Sequence, residues 1–386
     1  MGKSINVALI GYKFMGKAHS NAYKRLDFFF KDEYKPIMKV ICGRHEAPLK
    51  EAAEAWGWEE YDTSWESIVK RDDIDIVDIS SPQITHRDIA VAAAEAGKHV
   101  LLEKPMAMNA QEGQEMLDAV QKAGVKHMIG FNYRRVPAIG LAKRLIEEGK
   151  IGRIFHWRAC YLQDWIVDED FPLIWKLRKE IAGAGAHGDL NSHLIDLARY
   201  LVGEVKSVTG MKHTFIKERP LPSESDDLQT MLTAESGESM GEVTVDDTTS
   251  FLAEFENGAV GSFESTRFAS GRKNYNNFEI YGSKGSLSFN FESMNELQYF
   301  SREEADYTQG FRRILATEEC HPYISAWWPP GHIIGYEHTF VNQLADFLKC
   351  IAEDTMPEPN FYDGLRNQQV MDAVMESAEK GAKVVL

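Results

Sequence analysis

Over the first third of the chain, short apolar runs alternate with amphipathic stretches of helical period. The runs fall at residues 7–10, 37–42, 74–79, 99–102 and 127–129. Between them the pattern predicts a helix from about Gly16 and further helices over 47–56, 85–96 and 109–123. Gly97 and Gly124 stand just past the last two, where a left-handed residue ends a helix at no steric cost. Apolar strands that alternate with helices build a parallel sheet covered on both faces. Residues 1–133 therefore read as a doubly wound α/β domain.

From residue 134 the grammar changes. Residues 137–148 read as a helix, and 154–162 alternate like a strand. The runs 251–256, 261–267, 278–281 and 286–289 read as antiparallel hairpins, the first pair joined by the turn dipeptide Asn257-Gly258. Helices over 337–352 and 363–380 close the chain. Residues 134–386 are thus expected to form an α+β domain with a large, mostly antiparallel open sheet. One face of such a sheet must be covered by helices or by another copy, and a homodimer or homotetramer through this sheet is the expected assembly.

Composition narrows the class. A chain of 386 residues is too long for one ordinary core, which agrees with two domains. Hydrophobic residues at 44% and charged residues at 26% describe a soluble globular protein. The net charge of -16 argues against nucleic acid and against anionic membrane surfaces as partners. Cys42, Cys160, Cys320 and Cys350 are scattered with no Cys-x-x-Cys pair, which fits a reducing compartment and removes a thiolate zinc site. The first apolar run is too short for a signal peptide or membrane span, and Asn6 breaks a myristoylation motif after Gly2. A cytoplasmic location is expected.

Gly11-Tyr12-Lys13-Phe14-Met15-Gly16 follows a strand and opens a helix, the context a dinucleotide fingerprint needs. Gly11 can make the tight turn and Gly16 the close helix–strand packing, but Lys13 stands where a second glycine admits the pyrophosphate. An ammonium there can meet the pyrophosphate beside a helix N-terminus that already favours anions. After the second strand, Gly43-Arg44 replaces the acid that would bond a ribose hydroxyl. Arg44 can meet a 2′-phosphate, so NAD and NADP both stay open as cofactors.

Two motifs carry chemistry. Glu103-Lys104-Pro105 lies just past a buried strand, at the strand end where ligands of open α/β sheets bind. Lys104 can hold a developing alkoxide by charge, and Pro105 restricts its backbone to extended geometry. The second motif opens a helix after Gly188. At roughly 100° per residue, Leu190, Leu194, Leu197 and Leu201 form a core stripe. Asp189, His193, Asp196 and Tyr200 form another, with Asp189 and His193 neighbours at i, i+4. Histidine suits a general base near neutral pH and a carboxylate can orient it. His187, Asp189 and His193 admit a metal-site reading as well, but no further ligand motif accompanies them and none is expected.

Lys-Pro after such a strand, with Asp-x-x-x-His some eighty residues on, resembles the Gfo/Idh/MocA family of sugar and inositol oxidoreductases. So do Lys17-Ala18-His19-Ser20, Ser81-Pro82-Gln83-Ile84-Thr85-His86, Ala94-Glu95-Ala96-Gly97-Lys98-His99-Val100, Glu256-Asn257-Gly258-Ala259 and Tyr281-Gly282-Ser283-Lys284-Gly285. The likeness covers nearly the whole chain, and residues 14–19 look most similar to the levoglucosan and inositol dehydrogenase branch. The resemblance implies a Rossmann domain and NAD(P)-dependent oxidation of a secondary hydroxyl of a sugar, cyclitol or glycoside, or the reverse. It implies Lys104 as the catalytic lysine, a cis Pro105, and Asp189 and His193 as the acid–base pair. Cofactor contacts would come from Gly11, Lys13, Phe14, Met15, Gly16, Gly43 and Arg44, and further from Ser81, Pro82, His86, Glu103, Lys104 and Asn132. Substrate contacts would come from Lys104, Tyr133, Arg135, Trp165, Trp175, Asp189, His193 and Tyr336. Lys13, Asn191 and His187 depart from the family pattern.

Aromatic residues of the second half, Trp157, Trp165, Trp175, Trp327, Trp328 and Tyr336, can stack on sugar faces, with Gln163, Asp164, Lys176 and His338 as polar partners. Core or interface packing is the competing fate of each. Two other functions share the nucleotide domain. One is a redox-neutral enzyme that retains NAD(P) while cleaving or epimerising a glycoside; the other is a non-catalytic NAD(P) sensor.

Overall fold

The computed structural model describes residues 3–31, 33–223 and 236–386. It divides the chain into two compact units, Met1–Asn132 with Gly335–Gln368, and Tyr133–Ile334 with Gln369–Leu386.

In the first unit, β1 (Lys3–Ile10), α1 (Phe14–Phe29), β2 (Tyr34–Cys42), α2 (Glu46–Trp56), β3 (Glu60–Asp62), α3 (Trp65–Ile68), β4 (Ile76–Ile79), α4 (His86–Glu95), β5 (His99–Leu102), α5 (Ala110–Ala123) and β6 (His127–Ile129) follow one another. The six strands are parallel in the order β3-β2-β1-β4-β5-β6. The helix ends follow local chemistry. Asn109 accepts the Glu112 amide at the start of α5, and Gly57 and Gly124 take the left-handed conformation after α2 and α5. One face of the sheet packs Val77, Ile79, Val100 and Leu102 against Ile89, Ala90, Met116 and Leu117 of α4 and α5.

The second unit continues with α6 (Pro137–Glu147), β7 (Ile154–Leu162), α7 (Lys179–Ala182), α8 (Ser192–Leu201), β8 (Val205–His213), β9 (Glu218–Pro222) and β10 (Ser236–Glu242). After these come β11 (Thr248–Phe255), β12 (Val260–Thr266), β13 (Tyr275–Gly282), β14 (Gly285–Asn290), β15 (Glu296–Ser301) and β16 (Arg312–Leu315). With β17 (Val384–Val385) they build a nine-stranded sheet, β16-β15-β14-β13-β7-β12-β11-β8-β17, in which only β7 and β12 run parallel. Strands β9 and β10 form a separate ribbon. The Asn257-Gly258 turn joins β11 to β12, with Gly258 at φ +82 and Asn257 accepting the Ala259 amide. Trp157 is fully buried and stacked on Phe278 at 5.1 Å, so it belongs to the core and not to a sugar-facing wall.

Two expectations need correction. The second half is interrupted, because α9 (Tyr336–Ala352) and the start of α10 (Phe361–Lys380) cluster with the first unit. There α9 packs on α1, and Phe361 and Leu365 enter the core beneath α4 and α5. Tyr336 and His338 go with them: His338 accepts the Gly335 amide at the head of α9, and Tyr336 meets Phe340 edge-on. The helix after Gly188 is not regular either. Residues His187–Asn191 form a π-helical turn before α8 begins, so a constant angle per residue does not carry from Asp189 to His193. From Ser192 to Leu201 every residue but Tyr200 is buried, the polar stripe as well as the leucines.

Candidate active site

In the first unit, the turn from β1 to α1 has no room for side chains at its two glycines. A Cβ on Gly11, which sits at φ +118, would lie 2.7 Å from Ser80 Oγ; one on Gly16 would overlap the Gly11 carbonyl oxygen. No side chain caps α1 and no acid stands in its first turn, so the positive end of the helix dipole is available to an anion. The Lys13 ammonium lies over the Tyr12 ring at 5.1 Å, and the same ring covers Gly43. Arg44 and Phe14 are exposed. This bare backbone cradle with flanking cations fits a dinucleotide pyrophosphate.

Strand β5 ends at Leu102, and the Glu103 amide donates to the Ile79 carbonyl as the last backbone tie before Lys104. The Lys104-Pro105 peptide is cis and Lys104 is partly exposed. Around Glu103 lies a buried charge cluster that the motifs did not announce. His19 Nδ1 faces Asp78 at 2.8 and 2.9 Å, and its Nε2 faces Glu103 Oε1 at 3.1 Å. Tyr23 donates to Asp78 Oδ2 at 2.9 Å. Burial opposes a charge on His19, but the two carboxylates outweigh it and hold the imidazolium to a pKa of about 10. His86 is also buried; its Nε2 faces the Ser81 carbonyl at 2.9 Å, and its Nδ1 the carbonyls of Pro105 and Met106 at 3.1 and 3.2 Å. Burial lowers its pKa. Asn132 donates to Thr339 Oγ1 at 2.7 Å, and Ser81 bonds Thr85.

In the second unit, Asp189 Oδ2 accepts from Arg267 Nη2 at 2.9 Å and from Lys176 Nζ at 3.1 Å. The Arg267 guanidinium lies 5.1 Å over the Trp165 ring. From Trp165 a run of hydrogen bonds leads inward. Trp165 donates to Gln163 at 2.8 Å, while Gln163 and Tyr161 both donate to Asn274 Oδ1, at 3.0 and 2.6 Å. Tyr161 and Tyr133 share a hydroxyl bond of 2.7 Å, and the His193 ring stacks on Tyr133 at 4.2 Å with 17° between planes. One continuous set of contacts therefore joins Asp189, Trp165, Tyr133 and His193, four of the expected substrate residues. Trp175 lies beside Lys176, 5.8 Å from its ammonium, and Arg135 is buried. Arg267, Asn274 and Tyr161 escaped the motif reading.

The π turn is pinned at its head. Asp246 accepts from the amides of Gly185 and His187 at 2.8 and 2.7 Å and from Thr249 Oγ1. His187 faces the Met371 carbonyl with Nε2 and the Asn191 amide group with Nδ1, and burial lowers its pKa. With both ring nitrogens so engaged, His187 is a structural residue. Arg134 grips Asp196 of α8 through two bonds of 2.9 and 2.6 Å.

Comparison with known proteins agrees with this architecture. Residues 5–131 match the model of an oxidoreductase family with an NAD-binding Rossmann fold, and 139–288 match the GFO/IDH/MocA C-terminal domain. The chain belongs to the GFO/IDH/MocA oxidoreductase family. It is 47% identical to a levoglucosan dehydrogenase of Pseudarthrobacter phenanthrenivorans over 98% of this chain and 97% of that protein. The crystal structure of an oxidoreductase domain protein from Kribbella flavida is 47% identical with a TM-score of 0.94, covering 100% of this chain and 99% of that one. A levoglucosan dehydrogenase in complex with NADH and levoglucosan is 45% identical with a TM-score of 0.94, over 100% and 99% of the two chains. As a member of the GFO/IDH/MocA family this chain is an NAD-binding oxidoreductase.

The His19 cluster makes stability depend on pH in a definite direction. Its folded pKa of about 10 lies above the unfolded value of about 6.5, so its contribution is complete below pH 6.5 and is lost as pH rises to about 10. The melting-temperature difference between wild type and His19→Gln is expected to shrink across that interval. A difference that stays constant or grows with pH would show the imidazole to be neutral.

Proposed function

We propose that the protein oxidises a secondary hydroxyl of a sugar, cyclitol or glycoside to the ketone, or catalyses the reverse reduction, with NAD as the redox partner. Similarity along nearly the whole chain to a levoglucosan dehydrogenase carries this reading and puts levoglucosan first among substrates to try.

Each residue has a task in the proposal. His193, its ring plane set by stacking on Tyr133, removes the hydroxyl proton. Asp189, anchored by Arg267 and Lys176, orients the reacting hydroxyl. Lys104 stabilises the oxygen as its negative charge develops. Bound NAD supplies the hydride acceptor. Gly11, Lys13, Gly16 and the head of α1 would hold its pyrophosphate, with Gly43, Arg44 and Ser81 beside them. Trp165 and Gln163 offer an apolar face and a polar edge, the pairing a sugar ring requires.

The same reading extends to assembly. The outer face of the nine-stranded sheet exposes Met211, Leu252 and Val260. A homodimer or homotetramer buries them.

NADH formation from a panel of anhydrosugars, pyranoses and inositols tests the reaction. Lys104→Ala and His193→Ala are each expected to lower kcat by about 10²- to 10⁴-fold; wild-type turnover in either removes the role assigned to it. For the cofactor, Arg44→Ala is expected to raise KM for NADP and leave KM for NAD within about two-fold. A rise for NAD alone would contradict the 2′-phosphate role of Arg44. Leu252→Asp is expected to release monomers in light scattering, and an unchanged mass would place the interface elsewhere.

A further inference from the structure

Among the described residues of the first unit, His19, Tyr23, Asp78 and Glu103 form a buried titratable cluster to which the proposed chemistry gives no task. We propose that His19 is a positioning residue, whose imidazole, bridged between Asp78 and Glu103, fixes the Glu103 carboxylate and through it the backbone from which the Lys104 side chain leaves. The inference rests on Lys104 being the group that stabilises the reacting oxygen.

The turn after β5 lies beyond the strand ladder, so side chains must hold it. They do so from two sides. His19, on the second turn of α1, grips the Glu103 carboxylate, and His86, at the head of α4, faces the carbonyls of Pro105 and Met106. The other carboxylate oxygen of Glu103 accepts the Lys104 amide at 3.3 Å. Glu103 also lies against bare backbone, since a Cβ on Gly130 would come within 2.5 Å of its Oε1. Because α1 begins at the glycine loop, the same bridge ties the helix that receives the cofactor to the strand end that carries the lysine.

The charge state follows from geometry. Each ring nitrogen of His19 faces a carboxylate oxygen, so both must carry a proton to donate. The groups facing the ring are Asp78 from β4, Glu103 from the end of β5, with Lys104 the next residue, Tyr23 from its own helix through Asp78, and the uncharged Phe340 ring of α9 at 5.6 Å. One positive and two negative groups leave a single net negative charge on the cluster. Removing the imidazolium makes it two, which holds a proton more firmly on a cationic group nearby; removing the Glu103 charge does the reverse.

The experiment compares His19→Gln, Glu103→Gln and the double variant in the NAD-linked assay across pH, with NADH affinity measured by fluorescence. His19→Gln is expected to lose about 10- to 100-fold in kcat and to weaken NADH binding, while the basic limb of kcat/KM moves to higher pH. Glu103→Gln moves that limb to lower pH. The double variant returns it close to the wild-type position with kcat still low. A residue that merely stabilised the fold would leave the limb in place. Folded His19→Gln with wild-type kcat and an unmoved limb overturns the proposal even when Lys104→Ala is inactive. Active Lys104→Ala removes the reading on which it rests, and the proposal with it. If His19→Gln does not fold, 15N-histidine NMR of the wild-type enzyme decides. Both ring nitrogens of His19 should stay protonated to pH about 9, and a titration near pH 6.5 would sink the idea.

Discussion

A charge buried among three elements has to be answered where it sits, and the first unit is organised around that requirement. His19 comes from α1, Asp78 from β4 and Glu103 from the end of β5, and all three are shielded from solvent. Desolvation would neutralise a lone imidazole; the Asp78 and Glu103 carboxylates keep this one charged. Such a cluster is costly to break singly, because any one deletion leaves an uncompensated buried charge. Its value lies in geometry. It makes the spacing between α1 and the end of β5 a property of directed bonds, where apolar packing alone would tolerate sliding.

The second unit holds its residues by a different device. A π turn interrupts what would otherwise be one helix, and Asp246 holds its head by two amides and a hydroxyl. The wider turn presents Asp189 to Arg267 and Lys176 while α8 carries His193 to Tyr133. Between these two ends the run through Trp165, Gln163, Asn274 and Tyr161 sets each polar edge by the next. Asn274 Oδ1 receives two donors, so both Gln163 and Tyr161 are oriented by one atom.

Most of this fold was legible in the sequence because it depends on period. Glycine stops, the Asn257-Gly258 turn and the apolar runs located five of the six parallel strands and the hairpins to within a few residues, while the three-residue β3 offered no apolar run. Strands β8, β9, β10 and β16 were not legible, since their exposed polar faces weaken the alternation. Strand β15 alternates cleanly and was there to be found. The π turn was hidden for another reason: a change of hydrogen-bond register leaves the leucine spacing nearly intact. Lys104 was legible as a candidate because strand-end position is a local property. Asn274 and Arg267 were not, because their meaning comes from register with residues far away in sequence, such as Tyr161 and Asp189.

Histidines show where such reading reaches its limit. His19 faces carboxylates on both nitrogens, and His86 faces backbone carbonyls on both. His187 faces a carbonyl and an amide, and His127 accepts the Phe361 amide with burial holding its pKa down at about 4. These four have ring nitrogens committed to the framework, so moving a proton at those atoms would disturb the fold. The His193 ring stacks face to face on Tyr133. Each of these assignments comes from partners far away in sequence, so it is visible only once the fold is known.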